Sequence, residues 1–379
     1  MLRSGFLKFS LAIFLVIVLS SSIFLASCSS SSPTARATTA APTTSAPQTT
    51  GATTAPTSKP AASTSASPVS GTKYEISIVV WDTSMAGWQA AVKAVLALAE
   101  QKSQGRLKFK ILGGAEVIPS QEQFEAVRSG VADSVWGPTG YFIGTAPAGE
   151  AMFLDMATAK DRRASGLEDL FNQYYQTKGH YYLMMIDPSS FKEGMYGMFV
   201  NGNITKLDDL KGVKIRATGS FAPWVKAFGG VPVNIPSGEI YTAAQSGIVA
   251  GCTQPADEQF YNRALYEVIK GYIWPFVGKN PLIWSMNLNK WNALPADIQK
   301  IIKDSIIEIE NDPVWVKTMY DFHVGWDAKF QAKGMKKFDF GPEAQAKVRD
   351  AFAAGIWDAV LKGDAVWGAK LKAIIDAQK

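Results

Sequence analysis

Arg216 closes the short run Lys214-Ile215-Arg216, which reads as a strand, and the next residues, Ala217-Thr218-Gly219-Ser220, interrupt it before a helix running to Phe228. A guanidinium placed there aims its fork at the space before a helix N-terminus. Two parallel N–H donors, joined by the backbone N–H groups of a first helical turn, select an anion and above all a carboxylate. The competing reading is a solvated arginine in a surface ion pair. Arg128 and Arg263 fall on expected helices and read as solvent-facing, and the acidic pair Asp257-Glu258 reads as a solvated helix face. Other chemistries lack their parts. His180 and His323 stand far apart with no second His or Cys at ligand spacing, so neither a metal nor a cofactor is expected. No nucleophile elbow, P-loop, Cys-His pairing or dinucleotide-binding glycine run occurs. Paired carboxylates of the kind that hydrolyse glycosides keep a surface enzyme open as an alternative.

The elements that would carry Arg216 alternate. Tyr74 to Trp81 suits a strand, and Trp88, Val92, Val95, Leu96 and Ala99 follow at helical spacing. Leu107 to Leu112 is the next strand, Ser120 with Gln123 forms a capping-box pattern, and Gly130 closes that helix. Asp133 to Trp136 is a strand ending in the loop Gly137-Pro138-Thr139-Gly140. A second unit opens near Asp208, with a strand from Val231 to Ile235 and Ser237 as the N-cap of a helix ended by Gly247. Leu282 to Leu288 returns as a strand to the first unit, and helices follow from Pro295 onward. The order predicts an α/β protein of two lobes, with 73–200 and 285–379 mainly in the first and 201–284 mainly in the second. Ligands of open α/β sheets sit at the carboxyl ends of the strands, so the cleft between lobes is the expected site. Thr139 and Thr218 lie in loops facing it. Trp81, Trp136, Phe221, Trp274 and Trp284 fall near element ends and either enclose an apolar ligand body or fill the core. Trp136, followed by a loop, is the foremost candidate for contact.

Of 379 residues 47% are hydrophobic and 19% charged, which excludes disorder of the chain as a whole. The formal charge is +5, but the acid-free first 72 residues hold Arg3, Lys8, Arg36 and Lys59, leaving a body of about +1. A near-neutral body argues against a nucleic-acid surface. Residues 1–27 read as a secretory signal, with Arg3 and Lys8 before an apolar run too short for a settled transmembrane helix. Leu25-Ala26-Ser27-Cys28 resembles a bacterial lipobox, whose cysteine is lipidated and becomes the new N-terminus. Lipidation of Cys28 leaves Cys252 without an intrachain partner, as a small buried side chain. Residues 29–72, almost wholly Ser, Thr, Ala, Pro and Gly, form a tether spanning roughly 35–40 Å as a flexible coil.

Three separated segments carry a family likeness: Leu207-Asp208-Asp209-Leu210-Lys211-Gly212-Val213-Lys214-Ile215-Arg216, Ile240-Tyr241-Thr242-Ala243-Ala244-Gln245-Ser246-Gly247-Ile248-Val249 and Asn289-Lys290-Trp291-Asn292-Ala293-Leu294-Pro295. In this order the chain resembles the solute receptors of tripartite ATP-independent periplasmic (TRAP) transporters, over about residues 74–350. The resemblance implies an extracytoplasmic receptor that closes two lobes on an organic acid and hands it to a membrane permease without chemistry. It also implies that Arg216 is the carboxylate-binding arginine. Gln254 falls where the family often has a ligand-reaching amide; otherwise it bonds backbone ahead of Pro255. Thr253 stands where many members carry glutamate, which weakens any transfer of calcium-assisted binding. Gly197 stands near the point where many place a second arginine, which favours a monocarboxylate over a dicarboxylate. A lipoprotein receptor of an ATP-driven importer shares the lobes and the tether and stays open beside this reading.

Overall fold

The structure, a computed structural model, describes residues 71–83, 86–186 and 194–378. Cys28, the signal and the tether lie outside the described residues, as does the side chain of Trp88. Eleven described strands form two sheets. They are β1 (Tyr74–Val80), β2 (Leu107–Gly113), β3 (Ser134–Pro138), β4 (His180–Ile186), β5 (Tyr196–Val200), β6 (Lys214–Arg216), β7 (Val231–Val233), β8 (Gly251–Pro255), β9 (Gly271–Val277), β10 (Leu282–Asn287) and β11 (Lys336–Phe338). The first sheet has the order β2-β1-β3-β10-β4 and the second β11-β9-β5-β8-β6-β7. β1 runs parallel to β2 and β3, whereas β10 lies antiparallel between β3 and β4. In the second sheet β5 is antiparallel to both β8 and β9, and β6 is parallel to β7 and β8.

The pleat explains the packing. Ile76 and Ile78 of β1 face the helix Ala86–Lys102, where Val92, Val95 and Ala99 are buried with them. Val79 faces the other way, into a cluster that also holds Tyr196, Met198, Ile215 and Ile273 of the second sheet. One apolar cluster therefore spans both sheets. The helix Pro342–Gly363 contributes Phe352, Ile356 and Val360 to it. As expected, β10 returns to the first sheet. Two strands depart from the expected division: β5 sits between β8 and β9 of the second sheet, and β11, from the C-terminal stretch, extends the edge of that sheet beside β9. Position along the chain does not reveal which sheet supplies the hydrogen-bonding partner.

Local expectations are corrected too. The helix Gln123–Arg128 has no side-chain cap. Ser120 donates instead to the carbonyl of Trp81 at 3.0 Å and Gln123 to that of Val80 at 2.9 Å, so both satisfy the end of β1. The helix expected over Ser220–Phe228 is a short turn followed by only six helical residues, Ala222–Ala227. Trp136 and Trp284 face each other across the β3/β10 register, 1% and 0% exposed, with the Trp284 indole N–H donating to Ser134 at 3.3 Å. Both fill the core beneath the helix Ala86–Lys102 rather than facing the cleft. Trp284→Ala should therefore destabilise the fold by about 3–5 kcal/mol, the usual cost of emptying a buried aromatic position, measured as a lower denaturant midpoint with an unchanged slope.

Candidate functional site

The carboxyl ends of β1, β3, β6, β7 and β8 converge on a cavity of about 420 Å3. The first sheet contributes Trp81, just past β1, Pro138 at the end of β3, and Gly140 and Tyr141 from the turn after it. Arg216, Thr218, Gly219 and Phe221 come from the end of β6 and its loop, Ser237 from the segment after β7, and Gln254 from β8. Among the described residues that line it, Arg216 is the sole charged side chain.

Arg216 is 4% exposed. Its Nε donates to the carbonyl of Ile235 at 2.8 Å and its Nη1 to that of Thr253 at 3.2 Å. Those two bonds hold the guanidinium plane and use two of its five N–H donors. No carboxylate pairs with it among the described residues. Burial pushes its pKa down from the ordinary arginine value, and the nearby Arg263 acts in the same direction. A guanidinium nevertheless stays protonated, so the cavity holds a desolvated positive charge that lacks its counter-ion.

Amides and hydroxyls surround that charge. Gln254, 4% exposed, donates from Nε2 to Ser237 Oγ at 2.9 Å rather than to the backbone before Pro255. Asn280, 3% exposed, lines the wall with an Nδ2 that has no protein partner. Tyr196 and Phe221 stack with ring centroids 4.5 Å apart, and Trp81 lies 6.4 Å from Tyr141. The arrangement is a donor-rich anion site with an aromatic surround, suited to binding; among the described residues no nucleophile with an adjacent base lines it.

Of the residues singled out from sequence, Arg216, Thr218, Phe221 and Gln254 come together on the cavity, as does Trp81. Trp136, Trp284 and Thr139 do not. Thr139 sits between two lining residues but is 1% exposed, turned back toward Glu150. Trp274 lines a separate groove with Phe276 and Phe352. Gly197 also needs correction: a Cβ there would meet Phe199 and Phe276, on the face turned from the cavity, and the cavity-facing position of β5 is Tyr196. Among the described residues the lining holds one positive charge, that of Arg216. Asp257 and Glu258 are buried, with Asp257 capping the helix Glu258–Asn262 through Gln259 N at 2.8 Å. Arg263 is not a solvent-facing bystander either, since it bonds Ser237 and Asp82. Arg128 is exposed and paired with Glu125. Cys252 is buried, and burial pushes its thiol up to about 12, which keeps it unreactive. Burial takes His180, stacked on Phe124, down to about 4.

Sequence reasoning missed Asn280, Ser237, Tyr196 and Glu150. Asn280 had a signal, a polar pair with Lys279 between two apolar strands. Ser237 was assigned to a cap it does not form, because the turn begins after Pro236 and the hydroxyl is engaged elsewhere. Glu150, an acid in the apolar run Pro147–Leu154, is fully buried and accepts from Ser220 Oγ at 2.6 Å. Burial raises its pKa to about 7 against the opposing hydroxyls of Ser220 and Thr139.

A two-lobed α/β fold with an anion-selecting cavity at its strand ends defines a solute-binding protein. Residues 80–362 match the family described as bacterial extracellular solute-binding protein, family 7, and the chain belongs to that family, the solute receptors of TRAP transporters. A curated relative, the monocarboxylate 2-oxoacid-binding periplasmic protein of Nostoc sp., is 26% identical over 240 residues, 60% of this chain and 64% of its own length. The chain thus spans a little under two thirds of that relative. Among solved structures, a TRAP periplasmic solute-binding protein from Desulfovibrio salexigens with bound orotic acid superposes with a TM-score of 0.69 at 20% identity, covering 80% of this chain and 98% of that one. One from Rhodobacter sphaeroides, apo and open, gives a TM-score of 0.66 at 19% identity, covering 81% and 100%.

Glu150 yields a pH prediction. Its folded-state pKa, raised from 4.5 to about 7, means that the fold favours the neutral acid. The associated stability is complete below about pH 4.5 and is lost as pH rises through about 7. Glu150→Gln should match the wild type near pH 4.5 and exceed it in stability at pH 8, by on the order of 3 kcal/mol. Thermal unfolding across that range checks it.

Proposed function

We propose that this protein is the extracytoplasmic receptor that captures a small organic monocarboxylate and delivers it to a TRAP-type permease, with Cys28 lipidated and residues 29–72 tethering the lobes to the membrane. The observation that carries the substrate class is the buried Arg216, the single charged side chain lining the cavity among the described residues, with three donors left over. One carboxylate neutralises it; a second carboxylate on the same ligand would be buried without a cation. The 2-oxoacid ligand class in the name of the Nostoc relative supports the same choice. Around the carboxylate, Gln254, Asn280 and Ser237 fix orientation, and Trp81, Tyr141 and Phe221 enclose the body of the ligand. Because the walls come from both sheets, a ligand touching all of them favours the closed arrangement, and that closed form is what the permease reads.

In a thermal-shift screen of the purified protein, monocarboxylates should raise the melting midpoint, and sugars, amino acids and peptides should leave it unmoved. Stabilisation by sugars alone would sink this reading. For an acid found that way, Arg216→Ala should weaken binding by about 1.5–3 kcal/mol, and Arg216→Lys should also bind poorly because a point charge cannot reproduce the fork; calorimetric titration measures both. In cells, Cys28→Ser should move the protein from the membrane fraction to the soluble fraction, as judged by immunoblotting.

A further inference from the structure

Arg263 does not line the cavity, yet it stands at a junction. It is the residue at which the helix Glu258–Asn262, following β8 of the second sheet, comes to an end. Its Nη1 donates to Ser237 Oγ, the hydroxyl that also accepts from Gln254 Nε2 at 2.9 Å. Its Nη2 reaches Asp82 Oδ2 at 3.2 Å, and Asp82 lies just past β1 of the first sheet, next to the cavity-lining Trp81. The ion pair is about one-fifth to one-quarter exposed on each side, so it is partly shielded and partly wet. A chain of contacts thus runs from the first sheet, through one guanidinium, to two residues that line the cavity from the second. Arginine suits this junction: its planar fork donates in two directions at once, which a lysine ammonium on a flexible stem does not do with the same geometry.

We infer that Arg263 is a positioning residue that couples closure of the lobes to ordering of the binding wall. With Asp82 in reach, one arm of the guanidinium clasps the opposite lobe while the other fixes Ser237 and, through it, the amide of Gln254. When the lobes part, Asp82 is withdrawn, and Ser237 and Gln254 lose a support at the moment the ligand leaves. The step rests on the carboxylate-receptor reading only for what enters the cavity; the clasp itself is tested without ligand.

Spin labels at Lys110→Cys on β2 and Val231→Cys on β7, in a Cys28→Ser background with Cys252 buried, report the separation of the two sheets by pulsed electron resonance. In the ligand-free protein, Asp82→Asn should raise the longer-distance fraction about threefold, the scale of a partly exposed ion pair. Arg263→Gln should do the same, and the double variant no more than either alone, because both remove one interaction. Asp82→Glu should restore the wild-type distribution, and 1 M NaCl should shift the wild type toward the variants. Unchanged distributions in both single variants, or additive shifts in the double variant, would overturn the clasp. Titration with pyruvate and orotate on the same samples separates the two readings. If neither these nor any acid of the screen binds while the distances shift as stated, the clasp stands and the carboxylate assignment falls.

Discussion

A positive charge that has left water without an acid to receive it governs the site. Desolvating a guanidinium is costly, and proteins ordinarily offset the cost with a carboxylate of their own. Here two backbone carbonyls, of Ile235 and Thr253, hold the Arg216 plane without neutralising it. Carbonyl acceptors orient a donor but bring no net charge, so the electrostatic deficit persists until an anion arrives. The short strand β6, the segment after β7 and the end of β8 all serve to hold that plane at the cleft.

Around this deficit the protein keeps acids away or engaged. Asp82 is committed to Arg263, and Asp257 is turned into a helix cap. Glu150 lies behind the cavity wall, bonded to Ser220, in surroundings that favour its neutral form. Tyr174, Tyr175 and Tyr196 are the titratable groups whose fields meet it, and each is itself buried and held protonated. Ser220 belongs to the turn after β6, so this uncharged carboxyl ties that wall from behind without competing for the ligand.

Much of this was legible in the sequence. Arg216 was readable because it ends a strand before a glycine-containing turn and matches the family's carboxylate-binding arginine, and Gln254 because it falls where the family often has a ligand-reaching amide; both line the cavity. The strands β1, β2, β3, β6, β7 and β10 were recovered from local pattern, with β10 returned to the first sheet, whereas β4, β5, β9 and β11 were not read as strands. What stayed hidden depends on partners distant in sequence. The faces of Trp136 and Trp284 are set by the β3/β10 register, and the direction of Gly197 by the pairing of β5 with β8 and β9. Ser120 and Ser237 look like helix caps in any window of local sequence; their actual acceptors and donors arrive from other elements. Arg263 reads as a surface residue until the lobes are placed face to face.

The interleaving of the two sheets bears on how such a chain comes to be folded at all. The first sheet is split until β10 inserts between β3 and β4, and the second gains its last strand only with residues 336–338. Neither layer is completed by a contiguous stretch of chain, and pairing over such separations is slow because loop-closure entropy comes before any reward. A fold whose layers close late therefore locks only when almost the whole polypeptide is available to pair.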